Sequence, residues 1–473
     1  MKTLKTPKTF DERSNGKKHI VENESVKFLT KELFRLSLPT MLGFAIQSLY
    51  DIVDMFWIGK ISYKAIAGVV IFSTIFWLVE ILNEIIGTSS VSLISQAYGK
   101  GDLKLTSRII EQTLIFKAMV ALIASGILLV FFKPIVSFFS SDIEVVNSAI
   151  HYGYIRIFFM PIFFMTYSTF TALRNIGCAS LATLTMATGT IVNIILDPIF
   201  IFDKLPLFNI TGFGLGVSGA AWATVISTFI PLIWGLYLLF RGIEGVKISL
   251  KGLLLLDKKI DTKLITIGLP SGVEMLLRNL SYTVLIKISS LFGPEYVTVF
   301  GIIERMFGFA VIPIFGLSMG ASTLVGFQLG KNNEEGAKKA TILATLYSVI
   351  IVSLLLVLIL LFRESVFTLF TSNKNVIEIG ARSIPYVVFA LFMISFSAGL
   401  SSAFFGSGKT SIPMIAGILS RWGVMVPLVL ISTYVLRLGP IGLWMAFPVT
   451  EFVEVLVMSI AFLKSDWYKK RVI

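Results

Sequence analysis

Apolar residues gather into twelve long stretches separated by short polar connections, at roughly 33–58, 66–98, 107–131, 146–172, 178–202, 217–241, 264–291, 297–329, 338–362, 376–404, 411–435 and 441–464. Each is long enough to cross a hydrocarbon core of about 30 Å as a helix of about 20 residues. Several exceed that minimum, which predicts tilt or extension into water. The second six stretches repeat the first six at a nearly fixed offset. Leu38-Pro39 recurs as Leu269-Pro270, Gly99-Lys100 as Gly330-Lys331, and Phe158, Ala172 and Gly177 as Phe389, Ala403 and Gly408. All of these pairs are 231 residues apart. Near the ends the offset falls to 223, pairing Gly216, Gly219 and Ala223 with Gly439, Gly442 and Ala446.

An even number of spans per repeat makes the second repeat enter from the same side as the first. The expectation is an all-α polytopic membrane protein of 12 transmembrane helices, in two parallel six-helix repeats related by a pseudo-twofold axis along the membrane normal. The expected units are an N-terminal tail (1–32), an N-lobe (33–241), a linker (242–263), a C-lobe (264–464) and a C-terminal tail (465–473). Within the linker, Val246 to Lys259 mixes Lys with four consecutive leucines and reads as a short interfacial helix. Pro39 and Pro270 near the start of each repeat are either packing geometry or a hinge.

Composition agrees with a lipid setting: 55% of the 473 residues are hydrophobic and 15% charged, against about 25% charged in an ordinary soluble domain. The net charge of +13 would point to nucleic acid were it not for its placement. Lys and Arg concentrate about fourfold on the connections that share a side with the N-terminal tail, which puts both termini in the cytoplasm of a multi-pass plasma-membrane protein. The bilayer is then the partner of that charge, and no nucleic acid is expected. The N-terminal stretch lacks the apolar run of a signal peptide. One cysteine, Cys178, leaves no disulfide, and two histidines leave no His-built metal site. An integral membrane enzyme would need a nucleophile or metal constellation that this inventory lacks.

Acids inside apolar helices are costly and rank first as functional candidates. The first span carries Asp51 and Asp54. The fifth carries Asn193 and Asp197, one turn apart on one face, followed by Pro198, which frees the carbonyl of Ile194. At ~1.5 Å per residue Asp54 and Asp197 lie at a similar depth, roughly 30 Å from the inner helix ends. Two carboxylates, an amide oxygen and a free carbonyl suit a shared proton or a hard monovalent cation, so Asp54, Asn193 and Asp197 form a candidate Na⁺ site. The repeat supplies a control, because the related positions are Leu285, Val424 and Leu428. The second lobe carries Glu274 and Arg278 instead, one turn apart, where the first has Gly43 and Gln47, and Glu304-Arg305 in its next span. Glu80 and Glu84 sit mid-span with no evident cation; they either face a wet cavity, attracting cationic solutes, or pair with Arg156 or Arg421. Glu274, Arg278, Glu80 and Glu84 are therefore candidates for a substrate cavity, with Phe and Met supplying adaptable apolar walls.

The chain resembles the multidrug and toxic compound extrusion (MATE) family. The likeness rests on Leu38-Pro39, Val53 to Gly59, Ser95 to Gly99, Leu173 to Gly177, Asn193 to Pro198, Gly214 to Thr224 and Ala321 to Gly326, in that order and spacing. It covers about residues 33–464. The resemblance implies a two-lobed, V-shaped antiporter, needing no cofactor and acting as a monomer. Such a protein would export drugs or other small organic, often cationic, compounds in exchange for H⁺ or Na⁺. It implies cation coupling at Asp54, Asn193 and Asp197. Leu428 and Ala398-Gly399 offer no second-lobe aspartate, which places the chain closer to the DinF-like branch. Asp51, where a neutral residue is expected, puts an extra acid one turn below Asp54. The alternative is a lipid-linked oligosaccharide flippase of the same superfamily.

Overall fold

A computed structural model describes residues 25–205 and 211–473; most of the expected N-terminal tail lies outside them. The N-lobe comprises α1 (Val26–Gly59), α2 (Tyr63–Gly99), α3 (Leu103–Phe139), α4 (Ile143–Phe158), α5 (Met160–Asn175), α6 (Ala179–Ile201) and α7 (Val217–Arg241). A short helix, α8 (Leu250–Leu254), leads into the C-lobe: α9 (Lys258–Ser289), α10 (Pro294–Gly330), α11 (Glu334–Leu361), α12 (Arg363–Thr368), α13 (Lys374–Ser407), α14 (Ser411–Val435) and α15 (Pro440–Lys464).

Ten of these helices are long and apolar enough to cross a membrane. The expected single span 146–172 is two helices, α4 and α5, bent by 57° at Phe159. The cause is Pro161 in the first turn of α5, which has no N–H to continue the ladder from α4. The pair makes an eleventh span. The twelfth, α9, is 32 residues long but carries Glu274, Arg278 and Lys287.

Helix boundaries keep the repeat offset. α2 and α10 are both 37 residues long and start 231 residues apart. Capping chemistry keeps it too. Asp102 and Asn333 are repeat-related, and each side-chain oxygen accepts from a first-turn N–H at 2.9 Å. Asp142 and Asn373 do the same for α4 and α13. The glycine pairs have a backbone reason: Gly177 and Gly408 stand at φ 85° and 74°, and Gly216 and Gly439 at 57° and 65°. L-residues with a Cβ avoid that left-handed region.

The start of α1 at Val26 and the end of α15 at Lys464 lie at one end of the bundle, the base; the opposite end is the mouth. Packing differs between them. Towards the mouth each lobe has its own core, one around Phe72, Phe132 and Phe164, the other around Phe300, Ile384 and Phe447. Towards the base the cores are shared. Leu29, Leu33 and Leu36 of α1 pack with Leu317, Leu324 and Phe404, while Ile260, Leu264 and Ile267 of α9 join Ile86, Leu93 and Ile94 of α2. Small residues bring the backbones together there. A Cβ on Gly320 would sit 2.8 Å from the Cα of Ser37, and the backbone of Phe327 lies directly against Gly99. The lobes therefore join at the base and part towards the mouth.

Two sequence expectations change. α1 begins at Val26 rather than near Leu33, with Leu29 buried in the shared core. The linker helix is only Leu250–Leu254; Leu250 and Leu254 are strongly exposed, as an interfacial helix requires. The expected C-terminal tail, 465–473, is packed onto the bundle. Trp467 is fully buried against Phe404 and Phe462, and Val472 is buried in the core shared with α2.

Candidate functional site

α1 and α6 run side by side and bring the sequence-predicted trio together. Asn193 and Asp197 are fully buried, and Asn193 Nδ2 donates to Asp197 Oδ1 at 3.0 Å. Asp54 is the electrostatic neighbour of Asp197. One oxygen of each residue has no hydrogen-bond partner: Asp54 Oδ1, Asn193 Oδ1 and Asp197 Oδ2. Buried polar atoms are normally satisfied, so three free oxygens at one place fit a proton or a bare monovalent cation. Among the described residues no group of three or more His, Cys, Asp or Glu forms a metal centre; a coupling ion here would be cargo held by two carboxylates and an amide.

Two further residues stand beside this site: sequence reading missed Tyr152, and it named Arg156 only as a pairing partner for Glu80 and Glu84. The Tyr152 hydroxyl on α4 faces Asp54 and Thr224 of α7, and it accepts from Arg156 Nη1 at 2.9 Å. Arg156 lies over the rings of Phe163 (4.3 Å to the centroid) and Phe76 (5.5 Å). A Tyr and an Arg four residues apart in the fourth span were the available signal.

A cavity of about 520 Å³ opens beside the trio, inside the N-lobe, walled by α1, α2, α4, α5, α6 and α7. Aromatic side chains including Phe44, Trp77 and Phe170 form much of its wall; Asp51, Asp54 and Glu80 supply negative charge, and Arg156 and Arg174 positive. Asp51 is exposed to it, held by Gln47 Nε2 at 3.2 Å.

Of the four residues expected at a substrate cavity, only Glu80 lines this one. Glu84 points away, accepting from Thr88 Oγ1 at 2.6 Å and Tyr167 Oη at 3.4 Å. The cation near it is neither Arg156 nor Arg421 but Lys117 of α3, fully buried and 4.6 Å from the Tyr167 ring centroid. Glu274 and Arg278 lie in the C-lobe as a pair, Arg278 Nη2 reaching Glu274 Oε1 at 2.6 Å. They join a larger network missed from sequence. Arg421 reaches Glu454 at 2.5 Å, Glu451 at 3.4 Å and Glu274 at 3.9 Å. Glu304 and Arg305 do not pair and are both exposed; adjacent residues on a helix point about 100° apart.

This geometry can be set beside known proteins. The MatE family model matches residues 39–199 and 270–431, one block in each lobe. The chain belongs to the MatE family. The chain is 26% identical to the probable multidrug resistance protein NorM of Thermotoga maritima over 468 residues, covering 96% of this chain and 97% of that one. It is 24% identical to the probable multidrug resistance protein YoeA of Bacillus subtilis over 456 residues, with 96% and 97% covered. Among solved structures it resembles a multidrug resistance MATE family transporter of the MOP superfamily in an outward-facing conformation. There the TM-score is 0.84 at 25% identity, with 94% of this chain and 99% of that one covered. This MatE protein is thus a multi-pass membrane transporter of a multidrug efflux family, with the twelve helices in two repeats that the sequence predicted. The matched relatives do not support the oligosaccharide flippase alternative.

Proposed function

We propose that the chain is a secondary antiporter exporting small organic compounds in exchange for H⁺ or Na⁺, with Asp54, Asn193 and Asp197 binding the coupling ion. The observation that carries this reading is the trio's three unpartnered oxygens beside a drug-sized cavity in the same lobe. Asp54 belongs to both, so ion and cargo meet at one carboxylate. Asp51, one turn away, faces the cavity, and we assign it to the cargo side. Glu80 stands deeper on the same wall. The C-lobe has no counterpart of the trio, and Glu274, Arg278, Arg421, Glu451 and Glu454 pair among themselves; with Leu428 in place of an aspartate, this supports the DinF-like branch. With both termini cytoplasmic, as the basic residues favour, the mouth faces outward. We assign the cytoplasmic linker to residues 242–257, between the lobes.

The test is efflux from proteoliposomes with a pH gradient and a sodium gradient imposed separately. One of them should drive transport. Asp54→Asn and Asp197→Asn should each abolish that response while elution and unfolding temperature stay as in the parent. Retained coupling in either variant removes that residue from the ion site.

A further inference from the structure

Lys117 is a buried basic group that the ion site does not use. It lies within α3, fully buried, and its Nζ has no hydrogen-bond partner. It stands over the Tyr167 ring of α5 and faces Gly87 of α2. A Cβ on Gly87 would meet Lys117 Nζ at 3.4 Å and Glu84 Oε2 at 3.8 Å. The missing side chain thus lets an amine and a carboxyl group close on one spot without bonding. A buried ammonium without a paired anion is costly, and the flexible four-carbon stem of lysine can carry Nζ across the remaining gap. Glu84 also accepts from Tyr167 Oη and from Thr88 Oγ1 on its base side. One turn towards the mouth, Glu80 lines the cavity and is held by Asn83 Nδ2 at 2.8 Å, while Asn83 Oδ1 is buried and free. Glu80, Glu84 and Lys117 therefore lead from the cavity wall into the lobe.

The permanent charges nearby are Arg174 of α5 and, beside Glu80, Arg156 of α4; α9 meets α2 through Gly268 and Gly272 and adds no charged neighbour to Lys117. With Arg174 balancing one carboxylate, the other carboxyl group and the amine share one proton in two arrangements of equal net charge: acid with amine, or carboxylate with ammonium. The repeat offers a control here too. The positions 231 residues beyond Glu80, Glu84 and Lys117 are Val311, Phe315 and Ser348, so the repeated scaffold does not demand the group.

We propose that Glu84 and Lys117 form a second proton site, separate from the trio and loaded from the cavity through Glu80. Transfer breaks the O–H bond of the Glu84 acid and forms an N–H bond on the Lys117 amine, leaving a carboxylate and an ammonium. An amine stores H⁺ and cannot hold Na⁺, so this site takes only protons. The proposal deepens the antiporter reading and rests on it for the use made of the proton, not for its binding.

The test is infrared difference spectroscopy of the purified full chain between acid and alkaline pH, with no substrate added. Glu84→Gln should remove one protonated-carboxyl band that Asp54→Asn leaves in place. Lys117→Arg, whose guanidinium does not give up its proton, should abolish that band by holding Glu84 ionised. Lys117→Met, which carries no proton, should retain it to the alkaline end. If Lys117 only fills space and balances charge, the arginine variant reproduces the parent spectrum instead. Unfolding temperatures confirm that each variant is folded, and the nearly isosteric Glu84→Gln decides the matter should a Lys117 variant fail to fold. In proteoliposomes, efflux of ethidium driven by a pH gradient should slow on the order of a hundredfold in Lys117→Arg, the low end for a lost proton-transfer group. The proposal is overturned if Glu84→Gln leaves the difference spectrum unchanged or if Lys117→Arg keeps the band. The expected bands together with intact coupling in Asp54→Asn would remove the trio from the ion site and leave this one. Absent bands with coupling lost in Asp54→Asn would do the reverse.

Discussion

Among single residues, Arg421 carries the heaviest structural duty. It lies buried on α14 within a π-helical stretch, Leu419–Met425, and faces Glu454, Glu451 and Glu274. Removing it strands Glu454 and Glu451 inside a membrane lobe and leaves Glu274 to Arg278 alone, and breaking a buried pair costs roughly 3–5 kcal/mol. Arg421→Met should therefore lower the unfolding temperature in detergent markedly and reduce expression. Removing Glu454 as well should restore part of the loss, and a double variant no better than the single would deny that the two are coupled. Glu274→Gln should behave likewise, with a milder loss and an unchanged substrate profile, because Glu274 serves Arg278 and Arg421 rather than the cavity. A changed profile at normal stability would return Glu274 to a substrate role. The acids of the first lobe were legible in the sequence because a carboxylate in an apolar run stands out and the repeat offered a control. Their partners were not. Tyr152, Thr224, Lys117 and Glu454 reach their neighbours across helices far apart in sequence, and side-chain direction across such a gap is set by packing.

At the scale of elements, the repeat made the order of the spans readable but not every end: α1 starts at Val26 rather than near 33, and α3 runs to Phe139 rather than 131. It also left unread the break at Phe159. The sequence shows Pro161, yet Pro134, Pro198 and Pro231 also lie inside helices that stay continuous. A proline marks a weak rung, and neighbouring helices decide whether the chain bends there. The base junction depends on small residues, above all Gly320 of α10 against Ser37 of α1. Gly320→Leu has no room for its side chain without moving a backbone. Hydrogen–deuterium exchange over residues 29–41 should then accelerate several-fold while the mouth-side half of α10 keeps its protection. Unchanged exchange over 29–41 would mean that the junction tolerates bulk, and the close approach would not be what seals the base.

The whole molecule is closed at one end by two shared cores and by its own C-terminus. Trp467 anchors the last segment in the C-lobe. Beyond it the chain crosses to the other lobe. The Val472 N–H donates to Gln96 Oε1 of α2 at 3.0 Å, and the Val472 carbonyl accepts from Lys263 Nζ of α9 at 2.6 Å. Gln96, fully buried, donates in turn to the Gly406 carbonyl of α13 at 2.9 Å. Arg471 adds a hydrogen bond to Asn332 at 3.2 Å. Two of these bonds, Val472 to Gln96 and Gln96 to Gly406, cross between the lobes, and an antiporter working by alternating access would have to break them to part the lobes at the base. The strap thus favours the state open at the mouth. Deleting residues 466–473 should shift the population towards the state open at the base. In a Cys178→Ser background, Ser92→Cys lies beneath Val472 and Gly408. A thiol reagent should label it several-fold faster in the truncated protein than in the full chain, and faster still when α2 and α9 part. Equal labelling rates in both chains, with the truncated one folded by its unfolding temperature, would reduce the strap to surface packing.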